Sequence, residues 1–528
     1  MIALQRRVAP AVAAAVLLVA CGNGESIQNA GNPPRTTVTT AALPVTQPPQ
    51  TLAPGDTLAP GETLAPPPTE VPTTTVEPST TIATPLADLP ACPTDALAAA
   101  TGPIDITFWH GLTADNEKHL TELTDAYNAG QTKVHVTLQN QGGYEQVIDK
   151  YLQSGQDSRP ELAMAPEYAV QVFRDTQSFV PVQACEESDS YDMSAVLPAA
   201  VNAYSTGGVQ WSMPFNVSNP VLYYNRKVFT AAGLNPDAPP KTLEEVQQYS
   251  QQIVDSGAAS YGLIVDSDFD GGGGWYIEQW FAKAGQFYAN NENGRSAPPT
   301  EVLFDGPTGV QLYTYLRDLV ASGVAYNVGD NTSGQDAFLK IADQGDPGTM
   351  TIGTSAALGT VLAALQGGIA PGIGPEDLGV GQMPGPNGSA TVLVGGASLW
   401  IAADKGDAKT AAAWDFVKFM ISAQSQSTWA AATDYVPMRS DATALEPLAT
   451  TYRNDPRFAV AYESLLATPD EPTAVGPLLG PQREVRVLTA RALSSVFGGG
   501  DPATVLADAA AQADALLADY ASRHPNSG

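Results

Sequence analysis

The chain has 528 residues, room for two or three domains, and 43% of them are hydrophobic, so a large core can be buried. With 55 acidic side chains against 25 basic ones the net charge is −30, a surface that repels nucleic acid and anionic lipid headgroups and so excludes both as partners. Four scattered histidines (His110, His119, His135, His524) and three cysteines without a Cys-x-x-Cys pair give a zinc site no support, and no metal or cofactor is expected. A small anionic ligand is not excluded, because one or two buried arginines decide the local potential.

In chain order, Arg6 and Arg7 precede a short apolar stretch that ends in Leu18-Val19-Ala20-Cys21. A positive start and an apolar run of about a dozen residues make a secretory signal. The run is too short to span a bilayer, which takes roughly 20 apolar residues. Its last four residues resemble a bacterial lipobox, in which the Cys thiol is diacylated and becomes the new N-terminus after cleavage. Residues 1–20 then form a signal peptide, and Cys21 holds the mature chain at the outer face of the cytoplasmic membrane without spanning it. An ordinary signal peptide with an incidental Cys is the alternative. From 21 to 102 the sequence is rich in Thr, Pro, Ala and Gly, with a near-repeat starting at Thr51, Thr57 and Thr63. Such a stretch buries too little apolar surface to offset its ordering entropy, and its prolines make it a semi-stiff tether. Cys92 and Cys185 remain as an even pair in an oxidising compartment, where a disulfide between them is expected.

The folded region is predicted to begin near Pro103. Ile104, Ile106 and Phe108 alternate as a strand; Leu120, Leu123 and Tyr127 share one helical face, with Gly130 as the stop. Val134, Val136 and Leu138 predict the next strand, Val147, Ile148, Tyr151 and Leu152 the next helix, and Leu162-Ala163-Met164 a third strand. Such alternation means a mostly parallel sheet covered on both faces. Thr242 and Glu245 form a capping box ahead of Val246, Tyr249 and Ile253. Trp414, Val417 and Ile421 mark another helix. Asp501-Pro502 open the last, with Val505, Ala509, Ala513, Leu516 and Tyr520 on its apolar face. More than 400 residues of α/β pattern exceed what one open sheet usually takes, so two lobes are expected.

At Phe108-Trp109-His110, Gly142-Gly143-Tyr144-Glu145-Gln146 and Pro214-Phe215-Asn216-Val217-Ser218-Asn219-Pro220-Val221-Leu222-Tyr223-Tyr224-Asn225 the chain resembles the sn-glycerol-3-phosphate-binding proteins. These belong to the extracellular solute-binding proteins (family 1) of ABC importers. Supporting stretches are Ala232-Gly233-Leu234 through Thr242, Gly395-Gly396-Ala397-Ser398-Leu399-Trp400, Tyr435-Val436-Pro437 and Val485-Arg486-Val487. The resemblance implies the two-lobed, type II periplasmic-binding-protein-like fold, each lobe a mostly parallel sheet flanked by helices. Residues 103–213 with 392–455 would form the N-terminal lobe, and 214–391 with 456–522 the C-terminal lobe. Crossing strands are implied near 214–224, around 392–400 and near 455.

It also implies a ligand site at Tyr144, Glu167, Ser218, Trp275, Thr354 (where the family usually has Ser), Gly396, Tyr435 and Arg486. The residue types suit a glycerol phosphate or a glycerophosphodiester. Arg486 can pair bidentately with phosphate oxygens, the Tyr and Ser hydroxyls can donate, and glycine at 396 lets the main chain approach. Glu167, acceptor-only when ionised, suits a ligand hydroxyl, and Trp275 offers a platform for the carbon skeleton. One departure stands out. The family's Trp-x-x-Trp becomes Gly272-Gly273-Gly274-Trp275, which should open volume on that wall and leave residues 271–274 mobile. The expected role is therefore capture of a small solute for the permease subunits of an ABC importer, by a monomer with no chemistry of its own. Two other readings remain: a sugar binder stacking rings on Trp109, Tyr223, Trp275, Tyr276 or Trp280, and a secreted hydrolase, for which no catalytic motif speaks.

Overall fold

The computed structural model describes residues 89–525; the signal, Cys21 and the threonine–proline repeat lie outside them. The described fold starts earlier than Pro103. Residues 96–99 form a short helix, and Cys92 is bonded to Cys185 with the two Cα atoms 4.8 Å apart. The last part of the stretch read as tether is thereby fastened to the fold by the disulfide that the even pair of cysteines leads one to expect.

Thirteen strands follow in order among the described residues. β1 (Ile104–His110), β2 (Val134–Asn140), β3 (Leu162–Pro166) and β4 (Phe179–Val180) enter the first sheet; β5 (Ser205–Thr206) and β6 (Val209–Gln210) make a small hairpin; β7 (Met213–Ser218) rejoins the first sheet. β8 (Pro220–Asn225) opens the second sheet, to which β9 (Leu263–Val265), β10 (Ala325–Asn327), β11 (Met350–Thr354) and β12 (Leu378–Gln382) belong; β13 (Gly395–Ala402) returns to the first. The first sheet runs β2-β1-β3-β13-β4, with β7 also on β13, and the second β10-β9-β11-β8-β12. Strands joined by helical crossovers pair in parallel, as β1 does with β2 and β3, and β9 with β10 and β11. The strands that carry the chain between sheets, β7, β8 and β13, pair antiparallel.

Side-chain alternation built these elements as the sequence predicts. Leu120, Leu123 and Tyr127 of the helix Ala114–Gly130 are buried against the first sheet, and the Thr242–Glu245 box closes with both of its hydrogen bonds at the start of Leu243–Asp255. The final helix, Pro502–Arg523, is capped by Asp501, but its buried stripe is Leu506, Ala509, Ala510, Ala513, Leu517 and Tyr520, one residue round from Val505 and Leu516. It packs on the helix Gln482–Phe497, whose position decides which side faces inward.

Three passages connect the lobes. The first is one residue long. Asn219, fully buried between β7 and β8, donates through its side chain to the Ala461 carbonyl (2.9 Å), while its own carbonyl accepts from the Ser355 amide (2.9 Å). The second is the extended stretch 383–394, where the buried Gln279 side chain serves both backbone groups of Leu393 (3.0 and 2.7 Å). The third, near residue 455, is helical rather than a strand: Asp455 caps the turn Pro456–Ala459, and Val460–Leu466 follows. Proline at the first helical position behind an aspartate cap favours that outcome.

Candidate functional site

A cleft of about 220 Å³ opens between the two sheets, at the ends of the passages. Seven of the eight residues singled out from sequence line it: Tyr144, Glu167, Ser218, Trp275, Thr354, Gly396 and Tyr435. Six of them are placed by an element end, and Tyr435 follows the helix Ala423–Thr433 in a loop. Tyr144 opens the helix Tyr144–Gln153, Glu167 follows β3, Ser218 ends β7, Gly396 lies near the start of β13, Thr354 ends β11, and Trp275 opens the helix Trp275–Lys283. Residues from both sheets thus meet at one place.

The polar groups are held before any solute arrives. The Tyr144 hydroxyl accepts from Asn216 Nδ2 (2.6 Å) and is hydrogen-bonded to Tyr435, which stacks on Trp429 at 5.9 Å; burial pushes the Tyr144 phenol well above its ordinary pKa. Gly396 has φ +88°, and a Cβ there would collide with the Asn216 carbonyl, so the register of β13 on β7 requires glycine. Trp275 is nearly buried over Gly395, and its indole N–H has no partner.

Arg486 stands behind this wall rather than on it. It is 1% exposed, and Glu278 grips it with two charge-assisted bonds, Nε to Oε1 at 2.8 Å and Nη2 to Oε2 at 2.7 Å. Nη2 also donates to Glu167 (2.9 Å), Nη1 lies 3.6 Å from Asp270 without a hydrogen bond, and the guanidinium covers the Tyr168 ring at 5.1 Å. The fork expected to meet a phosphate is filled by Glu278, a residue 208 positions away in sequence. Burial pushes Glu167 up to about 7, against the pull of Arg486. Burial also opposes the charge on Arg486, but Glu278 and Glu167 outweigh it and raise its pKa.

Several lining residues escaped the sequence reading. Five carboxylates face the cleft (Glu145, Glu167, Asp266, Asp268 and Asp270), whereas among the described residues that line it there is no lysine or arginine. Glu145 accepts from the Tyr168 hydroxyl and is ion-paired to Arg483 Nε at 2.5 Å. The aspartates come from an Asp-x-Asp-x-Asp run just before the four glycines, a spacing visible in the sequence. They do not converge on one point: Asp266 Oδ1 accepts from the amides of Asp268 (3.1 Å) and Gly272 (2.7 Å), while Asp270 turns to Arg486. Among the described residues no group of three or more acidic, histidine or cysteine side chains could hold a metal ion.

That loop also overturns the expectation for Gly272. A Cβ at 272 would run into the Asp266 carbonyl, so the space an indole would need is occupied by main chain, and residues 271–275 are packed and buried, not open. Of the aromatics proposed for ring stacking, only Trp275 and Tyr276 line the cleft. Trp109 is tied to Gln139, Tyr223 to the Thr354 carbonyl and Trp280 to the Pro384 carbonyl, all in the core. Tyr168, Phe269 and Phe338 take their place.

Two α/β lobes joined by short passages, with a polar and aromatic cleft between them, define a two-lobed solute-binding protein. A model of the bacterial extracellular solute-binding proteins matches residues 122–460, and the chain belongs to that family. The sn-glycerol-3-phosphate-binding periplasmic protein UgpB of Pectobacterium atrosepticum is 27% identical over 437 residues, 81% of this chain and 95% of the relative; that of Yersinia pseudotuberculosis is 26% identical over 431 residues, covering 80% and 94%. Among solved structures, UgpB of Mycobacterium tuberculosis in complex with glycerophosphocholine superposes with TM-score 0.64 at 17% identity, covering 80% of this chain and 99% of that one. The sugar-binding protein MalE of Xanthomonas citri gives 0.65 at 18%, covering 80% and 100%, and a cyclic alpha-maltosyl-1,6-maltose binding protein of Arthrobacter globiformis 0.64 at 21%, covering 79% and 99%. The protein is an extracellular solute receptor of an ABC importer, presenting a small molecule to permease subunits, and not an enzyme. Among the described residues no helix is long and apolar enough to cross a membrane.

Proposed function

We propose that the solute is a glycerophosphodiester carrying a cationic head group, of which glycerophosphocholine is the simplest case, captured between the lobes by Tyr144, Glu167, Ser218, Trp275, Thr354, Gly396 and Tyr435, with Arg486 behind them. The observation that carries this reading is the charge of the cleft: five carboxylates and no lining cation. Glu167 is paired to Arg486 and Glu145 to Arg483, and burial raises Asp266 and pushes Asp268 up to about 8, so the lining is only partly charged. It nevertheless offers a dianion such as glycerol 3-phosphate no free cation to balance both of its charges. A diester has one negative charge, which the Trp275 indole N–H, the Arg486 Nη1 and the cleft hydroxyls suit, and its ammonium group suits the aspartates and aromatic faces. The likeness to glycerol-phosphate binders supports the glycerol part.

A neutral oligosaccharide is the second reading. Ionised carboxylates accept hydrogen bonds from sugar hydroxyls, and the aromatic lining offers rings to stack on; two of the superposed structures are named as sugar binders. Titration calorimetry with glycerophosphocholine, sn-glycerol 3-phosphate and maltose decides. Heat from the first alone supports the proposal, heat from maltose alone replaces it with the second reading, and tight binding of the dianion overturns both.

The receptor is further proposed to be monomeric and tethered through diacylated Cys21 after removal of residues 1–20, with one lobe of 103–218 plus 395–455 and another of 220–382 plus 456–522, β7 being counted with the sheet it joins instead of with the lobe that begins at 214. Metabolic labelling with palmitate should mark the wild-type chain and not Cys21→Ser; equal labelling of both would remove the anchor.

A further inference from the structure

We infer that Glu278 determines the charge class of solute this receptor accepts, by holding Arg486 as an internal ion pair so that the cleft presents Glu167 instead of a free guanidinium. The inference rests on the proposed reading only in taking the cleft beside Glu167 as the solute site. Glu278 lies in the first turn of the helix Trp275–Lys283, 2% exposed, and does not line the main cleft. Its Oε1 and Oε2 take Nε and Nη2 of Arg486, and Gln482 Nε2 donates to Oε1 at 3.2 Å, fixing the carboxylate from the far side. The Nε/Nη2 edge that could bind a phosphate bidentately is therefore filled by Glu278, and the Nη1/Nη2 edge is half taken by Glu167, only Nη1 lacking a hydrogen bond.

The consequence runs through Arg486 to Glu167. With Nη2 shared between Glu278 and Glu167, the guanidinium serves as counter-charge and positioning group for a carboxylate that faces the solute. Counting Asp270 as well, one cation is surrounded by three acids. A phosphate monoester entering beside them would have to displace a charge-assisted pair formed inside the protein, whereas a neutral or zwitterionic solute would not. Glu278 is a specificity-determining residue that touches no solute.

Neutralising it while keeping its shape tests this. In Glu278→Gln the Arg486 fork loses its anionic partner, and affinity for sn-glycerol 3-phosphate should rise at least tenfold, while glycerophosphocholine or maltose, whichever the wild type binds, changes less than threefold. Glu278→Asp, which keeps the charge, should retain the wild-type discrimination. The inference is overturned if folded Glu278→Gln, judged by circular dichroism, binds sn-glycerol 3-phosphate no better than the wild type, or if Glu278→Asp gains as much, which would make packing the cause. Should Glu278→Gln fail to fold, Glu167→Gln takes its place: it frees one bond on Nη2, and a gain for the dianion of threefold or more supports the inference while no gain overturns it. Wild-type preference among the three solutes tests the proposed function separately, because the change on substitution does not depend on it.

Discussion

The two lobes spend their buried volume differently. Around the first sheet the interior is a continuous apolar mass, with the rings of Tyr151, Phe173, Phe179 and Trp400 packed at 4.6–5.4 Å between centroids, and Cys92–Cys185 fastening its start. Around the second sheet the apolar residues fall into separate clusters. Between and beside them lie buried charges: Asp266, Asp268, Glu278, Lys283 and Arg486. Burying an ion costs several kcal/mol unless it is paired. Glu278 and Arg486 are paired, whereas Asp266, Asp268 and Lys283 rest on main-chain hydrogen bonds, and burial shifts them toward their neutral forms, Asp268 up to about 8 and Lys283 down to about 7. The charge a solute meets comes from both lobes, Glu145 and Glu167 from the first and Asp266, Asp268 and Asp270 from the second, but the Glu278–Arg486 pair behind it belongs to the second.

Removing Arg486 should produce the largest effect. Arg486→Ala leaves Glu278 and Glu167 without their counter-charge and should cost about 3–5 kcal/mol at pH 7.5, measured by urea denaturation. The loss should shrink at pH 5.5, where Glu167, with its pKa near 7, carries a proton. Phe173→Ala in the other lobe should cost a similar amount, about 3–5 kcal/mol, through an apolar cavity, with no pH dependence. Equal pH responses from the two variants would erase the distinction between the lobes. Next in size, replacing Cys92 and Cys185 by serine opens a loop of 93 positions and should cost about 2–5 kcal/mol, seen as a lower denaturant midpoint.

A smaller loss is expected from restoring the family's missing indole. Gly272→Trp forces a side chain into the Asp266 main chain and should destabilise by about 1–3 kcal/mol or more; a stable, tighter-binding variant would show that the loop yields. The mildest effect is on the unmodified protein. Glu167 and Glu186 both have pKa values near 7, raised by burial above the roughly 4.3 of an unfolded glutamate. Between those values the folded state holds protons that the unfolded chain has released, so stability falls as pH rises. The melting temperature should therefore be higher at pH 5.5 than at pH 8, and the opposite slope would mean these carboxyls are not buried as described.

Much of this was legible in the sequence, and the reasons are local. Periods of two and 3.6 gave the strands and helices of the first lobe, because burial of one face imposes them whatever the partner. The capping box at Thr242 closes within four residues. The seven residues that line the cleft were named through resemblance to family motifs, not through periodicity, and most lie at element ends that the fold brings together. What the sequence could not reveal depends on partners distant along the chain. Glu278 and Arg486 are 208 positions apart, and nothing in either segment marks them as a pair. Gly272 reads as vacant space until the Asp266 carbonyl is seen against it. Composition and periodicity determined an α/β chain of two lobes, and motif resemblance its role as a receptor; only the tertiary structure decided the charge of its cleft, because a buried ion's effect depends on which counter-ion the fold places beside it.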